Sequence, residues 1–269
     1  LFAPESGLHR LSALSILRLR VPSGDDAMNV TFLDQFLGWT SGRANVADKK
    51  NKTSLAIAAE MFKRVGLTST ISLKGQEAGT ALEVATEQFL ARELPRIRND
   101  RDWQVRRNRP ISDFAQYAHL KKVDDLISAD ASGTLASELG RDYLVAPDVT
   151  VGLAIVSAAE SLLHASVSCK LTIRSDRVQN IRHEGVILTR HRRGRQPHIV
   201  VVTAEPLPTR IASIARGTGE VDAVYHVALA ELLDATELVG TPLQKRTLAE
   251  LVDQNRLLPL EALVQVLGV

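Results

Sequence analysis

Residues 166–184 read S-V-S-C-K-L-T-I-R-S-D-R-V-Q-N-I-R-H-E, and this stretch decides the fold. Its first half alternates: Ala165, Val167, Cys169 and Leu171 fall on one face of a strand, and Ser166, Ser168 and Lys170 on the other. Its second half changes period. Ser175 is a good N-cap, and the helix after it buries Val178 and Ile181, with Val186 and Leu188 further on. A strand bearing a lysine therefore runs through Arg174-Ser-Asp-Arg177 into a helix bearing Glu184.

The rest of the chain repeats this strand–helix alternation. Tyr143–Val151 is strand-like and contains Pro147-Asp148, and His198–Thr203 is the continuous β-branched run of a buried central strand. Pro206 and Pro208 open a short helix carrying Arg210, Val221–Tyr225 reads as a strand, and Ala228–Leu238 as a helix. Upstream, the pattern predicts a helix over Thr53–Val65 ended by Gly66, and another from Glu77 to Leu94 stopped by Pro95. The second buries Leu82, Ala85, Phe89 and Leu90, with Glu83 beside that face. Trp103–Arg107 reads as a short strand, and Ser112 caps a helix through Ile127. The expected class is α/β: a mixed β-sheet core flanked by helices. We expect one domain over 1–269, with a peripheral N-terminal arm at 1–50, a chemical core at 140–230 and helices at 240–269.

Composition narrows the function. The chain is 45% hydrophobic and 24% charged, an ordinary globular balance. No apolar run approaches the roughly 18–20 residues of a membrane span. The lone Cys169 makes neither an internal disulfide nor, by itself, a zinc site, which suits a reducing cytoplasm. The chain starts at Leu1 rather than Met and so reads as a processed or partial chain. Net charge is only +2, yet seven arginines face two acids between 174 and 195. Arginine-rich segments suit forked contacts to phosphates and guanines, although a solvated face is the commoner fate of a charge run. Aromatics at 4% argue against stacking platforms for single strands.

Hydrolysing a phosphodiester requires an attacking water, charge neutralisation at the phosphate and help for the leaving oxygen. Carboxylates holding magnesium, with a lysine near the same phosphate, meet those needs. Asp148, Glu184 and Lys170 are the candidates, with the Cys169 backbone carbonyl as a further oxygen ligand and its thiol in the core. The spacing alone leaves the bland alternatives standing: Lys170 as an edge residue extending to solvent, and Glu184 as a solvated helix residue. His164, His198 and His226 read as core or edge histidines, Trp39 and Trp103 as packing residues, and Gly217-Thr-Gly219 as a turn. The basic turn at 190–195 suits phosphate contact rather than base reading.

Three stretches are specific well beyond a short motif: L-L-H-A-S-V-S-C-K-L-T-I-R-S-D-R-V-Q-N at 162–180, G-R-Q-P-H-I-V-V-V-T-A-E-P-L-P-T-R-I-A-S-I-A at 194–215, and G-T-G-E-V-D-A-V-Y-H at 217–226. They resemble the type II restriction endonucleases of the PD-(D/E)xK superfamily that share a CCGG core, and fainter likeness covers most of 50–230. The resemblance implies a restriction-endonuclease-like fold with the second acid shifted onto a helix. It implies Asp148 and Glu184 as metal-binding acids, Lys170 as the catalytic lysine within a Ser168-x-Lys motif, Glu83 as an additional acid, and two magnesium ions per site. It assigns Arg174, Asp176 and Arg177 to the CCGG core in the major groove, Gln76 to the minor groove and Arg210 to the outer pair of GCCGGC. It further implies double-stranded DNA as substrate, a homodimer or homotetramer, a cytoplasmic bacterial setting and a cognate methyltransferase in the cell. Lys50 stands where the family places a serine that contacts the outer bases, and the stretch between Asp148 and His164 is shorter than the family's. A repair or junction-resolving nuclease on the same core, or a non-catalytic sequence-specific DNA-binding protein, is the alternative; the Arg-Ser-Asp-Arg tetrad and the retained catalytic positions argue against these.

Overall fold

The structure, a computed structural model, describes residues 30–73, 75–155, 159–217 and 219–269. In chain order its elements are α1 (Val30–Leu33), β1 (Trp39–Thr40), β2 (Arg43–Ala44), α2 (Lys52–Val65), α3 (Gly75–Ile97), β3 (Trp103–Arg107), α4 (Ala118–Ala129) and α5 (Thr134–Leu139). There follow β4 (Val149–Leu153), β5 (Leu162–Lys170), α6 (Ser175–His191), β6 (His198–Thr203), α7 (Pro208–Ala215), β7 (Ala223–His226), α8 (Leu229–Val239), α9 (Pro242–Asp253), β8 (Leu257–Pro259) and α10 (Leu260–Gly268).

A six-stranded mixed sheet in the order β3-β4-β5-β6-β7-β8 organises the chain. β3, β4 and β5 run antiparallel; β5 to β8 run parallel, joined by helical crossovers. β5 is thus the hinge between the two halves, buried on both faces from Leu163 to Cys169. The β-branched run of β6 beside it is buried from Ile199 onward, as a central parallel strand should be.

Several elements depart from the sequence expectation. Pro95 does not stop α3, which runs on to Ile97; the proline forfeits one amide bond, to the carbonyl four residues back, and the helix ends two residues later. No single helix spans 112–127. Ile111–Asp113 forms one 3-10 turn, Phe114 is extended, and α4 starts only after Tyr117. Tertiary bonds win there: buried Gln116 pairs with the Leu163 backbone through both amide atoms at 2.8 Å, and Tyr117 donates to Leu188 O at 2.7 Å. Residues 143–148 are not strand, because β4 begins at Val149. Arg174, not Ser175, occupies the N-cap of α6. Leu188 is buried as expected, but Val186 is exposed, and Gly185 and Ile187 are buried instead.

The described part of the expected N-terminal arm is not peripheral, since Phe32, Leu33, Phe36, Leu37 and Val46 belong to the main core. The Ser41-Gly42 turn closes the β1–β2 hairpin with both residues at positive φ. The turn expected at Pro22-Ser23-Gly24 lies outside the described residues. At the other end, the parallel sheet gains β8, and α10 returns to α3, where Arg98 Nη1 donates to Gly268 O at 2.9 Å. Among the described residues, no helix is long and apolar enough to cross a membrane.

Candidate active site

Asp148 immediately precedes β4, antiparallel to β5, and the Val149–Val167 register brings its carboxylate to the end of β5. One oxygen, Oδ2, accepts the Cys169 amide at 2.7 Å and the Lys170 ammonium at 2.5 Å. Lys170 is the last residue of β5, where the strand runs out of partners on the β4 side. Burial alone would lower the Lys170 pKa, but Asp148 and Glu184 outweigh it and hold the ammonium above its ordinary value.

Glu184 enters from α6. Ile181, Gly185 and Leu188 repeat at helical spacing and bury that face, and Glu184 borders it. Ser168 Oγ donates to Glu184 Oε2 at 3.1 Å, so the Ser168-x-Lys170 face of β5 holds both the serine and the lysine of the site. Burial raises the Glu184 pKa, opposed by Lys170 and reinforced by Asp148. Beside Glu184, Gly185 lets α6 pack directly on the segment before β7: a Cβ there would stand 2.2 Å from Glu220 O.

Glu83 comes from α3, on the border of the face that buries Leu82, Ala85, Thr86 and Phe89. Burial and then the Asp148 charge raise its pKa; Lys170 and Arg107 pull it back. Arg107, at the end of β3, lies 3.6 Å from Glu83 Oε2 and 3.3 Å from Glu87 Oε2. Three acids thus gather around one lysine, with an arginine on the outer side.

Among the described residues, no three His, Cys, Asp or Glu side chains converge as a ready-made metal cage. The donor chemistry nevertheless fits magnesium, which takes one or two carboxylates and completes its shell with water and substrate phosphate. Asp148 and Glu184 are hard oxygen donors. The Cys169 thiol is excluded from the set: burial, then the Asp148 charge, push its pKa up and keep it protonated in the core.

Arg174, Ser175 and Asp176 are exposed where α6 begins, and Arg177 is half-buried with Nη1 on Thr172 O at 2.9 Å. Gln76 is exposed in the first turn of α3. Arg210, in the first turn of α7, bonds Asp48, and its Nη1 lies 4.0 Å from Glu205 Oε1. The arginine-rich window does not form one patch. Arg174 and Arg177 sit at the N-terminal end of α6, whereas the expected 190–195 turn is divided at the other end, Arg190 in the last helical turn and Arg192, Arg193 and Arg195 after it, some ~25 Å away for a helix of that length. There the cations complement the negative end of the helix dipole.

Asp48, Arg107, Thr203 and Glu205 were not picked out by the sequence. Asp48 lies two residues before Lys50, which is exposed and only donates its own amide to Asp48 Oδ1 at 2.9 Å. The Lys50 amide and then Arg210 hold the Asp48 carboxyl below its ordinary range. The His and Trp assignments fit: His164 Nε2 meets Leu267 O at 2.9 Å, His226 Nε2 meets Glu205 O at 3.2 Å, and both indole N–H groups donate to backbone carbonyls.

A mixed sheet whose central strand ends in a lysine against a carboxylate, with a second acid on the following helix, defines a nuclease of the restriction-endonuclease-like class. The sequence profile of the family described as NgoMIV restriction enzyme matches residues 37–161 and 154–265. The chain is also 41% identical to the type II restriction enzyme NgoMIV of Neisseria gonorrhoeae, over 71% of this chain and 78% of that protein. The chain therefore belongs to the NgoMIV restriction enzyme family and is a type II site-specific deoxyribonuclease.

Proposed function

We propose that this enzyme is magnesium-dependent and cuts double-stranded DNA at a palindrome with a CCGG core, G^CCGGC, leaving 5′-phosphate ends with four-base 5′ overhangs. The observation that carries the reading is the closeness of two functions. Lys170 ends β5 against Asp148, and Arg174, Asp176 and Arg177 begin α6 after three intervening residues.

Asp148, Glu184 and the Cys169 backbone carbonyl are the groups that would hold magnesium, two ions per site. Magnesium there supplies a Lewis acid for the scissile phosphate and lowers the pKa of the attacking water. Lys170, charged at every working pH, offsets phosphate charge and orients that water. Ser168 fixes the orientation of Glu184 through its hydroxyl. Glu83, with its raised pKa, is a third acid at the rim.

Arg174 and Arg177 fork onto guanine O6 and N7, and Asp176 accepts from cytosine N4. Gln76 touches the minor groove, and Arg210 reads the outer pair. A palindrome requires two-fold symmetry, met by a homodimer or by two dimers back to back as a homotetramer. The whole chain serves as one domain in the bacterial cytoplasm, beside a methyltransferase that protects the host's own sites.

Digestion of a plasmid of known sequence with magnesium, followed by run-off sequencing of the ends, tests this directly. The expected result is cleavage only at GCCGGC, after the first G. Cutting unrelated to CCGG, or none with magnesium or manganese, overturns it.

A further inference from the structure

Three residues separate Lys170 from Arg174, and both ends of that link are tied to one buried stretch beyond β6. Thr203 ends β6 opposite Lys170, and its hydroxyl donates to Lys170 O at 2.6 Å. The same hydroxyl oxygen accepts the Glu205 amide at 3.1 Å. Glu205 then divides its carboxylate between two segments. Oε2 accepts the Ile173 amide, next to Arg174, at 2.8 Å, and Oε1 accepts the Leu207 amide at 3.1 Å. Leu207 is the N-cap residue of α7, whose first turn carries Arg210.

Thr203 and Glu205 are both fully buried. A buried carboxylate is a costly way to fill space, because its charged form loses water. Burial pushes the Glu205 carboxyl up to about 7, even though two backbone amides and Arg210 stabilise its charge. The nearest charged groups are Arg210 on α7 and, beyond it, Asp48. His226 on β7 faces the Glu205 backbone carbonyl and accepts the Ala228 amide, so it is no counter-ion. The carboxylate is spent on two backbone segments, and each of these leads directly into a base-reading arginine.

We infer that Glu205 is a positioning residue for sequence discrimination. It locks the Ile173–Arg177 reading segment and the 207–210 turn into one rigid unit, and Thr203 fastens that unit to the carbonyl of the catalytic lysine. A displacement of Arg210 by a wrong outer base pair is then passed to Arg174 and to Lys170 rather than absorbed locally. The inference rests on the nuclease reading above, with Arg174 and Arg210 as base readers.

The test uses the full chain with Glu205→Gln, which keeps shape but replaces one acceptor oxygen by a donor, and Thr203→Val, which keeps shape and removes both hydroxyl bonds. Cleavage rates with magnesium are compared on a GCCGGC duplex and on a CCGG duplex with the outer pair exchanged. Amide hydrogen exchange is followed in peptides covering 171–177 and 205–210. At about pH 8, above the value of about 7 to which burial pushes the Glu205 carboxyl, the expected result is that the cognate-to-altered rate ratio falls about tenfold, the loss of one bond to a charged acceptor, while exchange rises in both segments together. A purely packing role slows both duplexes in proportion; an unchanged ratio in the folded variants overturns the inference. If Glu205→Gln does not fold, Thr203→Val decides in the same way. Wild-type enzyme that cuts neither duplex overturns the nuclease reading and this inference with it; wild-type cutting with an unchanged variant ratio overturns this inference alone.

Discussion

Lys170 Nζ stands 2.5 Å from the same Asp148 oxygen that accepts the Cys169 amide. That oxygen therefore carries a cation already, in the middle of three acids. Lys170→Ala should retain specific duplex binding and lose cutting by roughly 10²–10³-fold, as for removal of one transition-state donor. It also leaves Asp148 facing Glu83 and Glu184 with no lysine between them. The variant should melt below wild type without divalent cation, and added magnesium should raise its melting temperature more than it raises that of wild type. Equal shifts in the two proteins would show that the lysine and the ion do not share this charge.

Gly185, next to Glu184, sets how closely α6 packs on the Glu220 backbone. A Cβ at 185 falls 2.2 Å from the Glu220 carbonyl oxygen, which is backbone and cannot rotate aside. Gly185→Ala should cost about 1–3 kcal/mol, as overpacking does, and should reduce cutting, because α6, which carries Glu184, must shift from its seat on Glu220. Gly79 is the control: it lies in α3 with nothing within 4 Å of its Cβ position. Gly79→Ala should leave activity intact and stabilise the helix by about 0.5–1 kcal/mol. Thermal melts and single-turnover cleavage of both variants check the contrast.

The parts of this molecule that were legible in the sequence are those in which one local pattern carries the signal. The alternation of residues 165–171 marked β5 although Ser166 and Ser168 on its polar face are buried too, and the β-branched run 198–203 marked β6 because that strand is buried from Ile199 onward. Spacing made Asp148, Lys170 and Glu184 candidates only, and the resemblance singled them out; the structure brings Asp148 to Lys170 and, through Ser168, Glu184 to the same strand end. What stayed hidden depends on distant partners. Gln116 and Tyr117 look helical until Leu163 and Leu188 claim their side chains. Asp48 sits 162 positions from Arg210, and no spacing announces that pair. Glu205 lies in an Ala-Glu-Pro turn that resembles a surface loop, yet it is fully buried. β8 spans only Leu257–Pro259 and gains its strand character from β7, not from its own three residues.

The two ends of α6 should separate base reading from bland charge. Arg174 is exposed at the N-terminal end, and Arg193 is exposed beyond the C-terminal end, with its own amide on Gln116 O at 3.0 Å. Arg174→Ala should cost about 1–3 kcal/mol of discrimination between CCGG and a single-base variant, the value of one forked guanine contact. Arg193→Ala should leave that discrimination unchanged. If Arg193 meets a phosphate, the variant lowers the slope of log affinity against log salt by about 0.9; if it only caps the helix, the slope stays as it was. Titrations at several salt concentrations separate these outcomes. A CCGG-selective defect in Arg193→Ala would place the reading surface elsewhere on the molecule.

Glu205 should make stability depend on pH in a direction opposite to that of the buried histidines. Its carboxyl is raised from 4.5 to about 7, chiefly by burial. Its contribution is therefore fully present below about 4.5 and is lost as pH rises through about 7. His164 and His226 are lowered from 6.5 to about 4, again by burial first. Theirs is present above 6.5 and is lost as pH falls through about 4. The wild-type profile mixes these opposed slopes, and Glu83 and Glu184, whose pKa values are also raised, add to the first. Glu205→Gln removes one contribution and leaves the others in place, so the difference between the two proteins isolates it. The variant should be most destabilised relative to wild type near pH 5 and progressively less so toward pH 8. The span has a ceiling of about 3 kcal/mol at 1.36 kcal/mol per pKa unit. Denaturant melts of both proteins at four or five pH values measure it directly. A deficit that grows with pH would mean that Glu205 is ionised in the folded protein throughout, held so by the Ile173 and Leu207 amides and by Arg210.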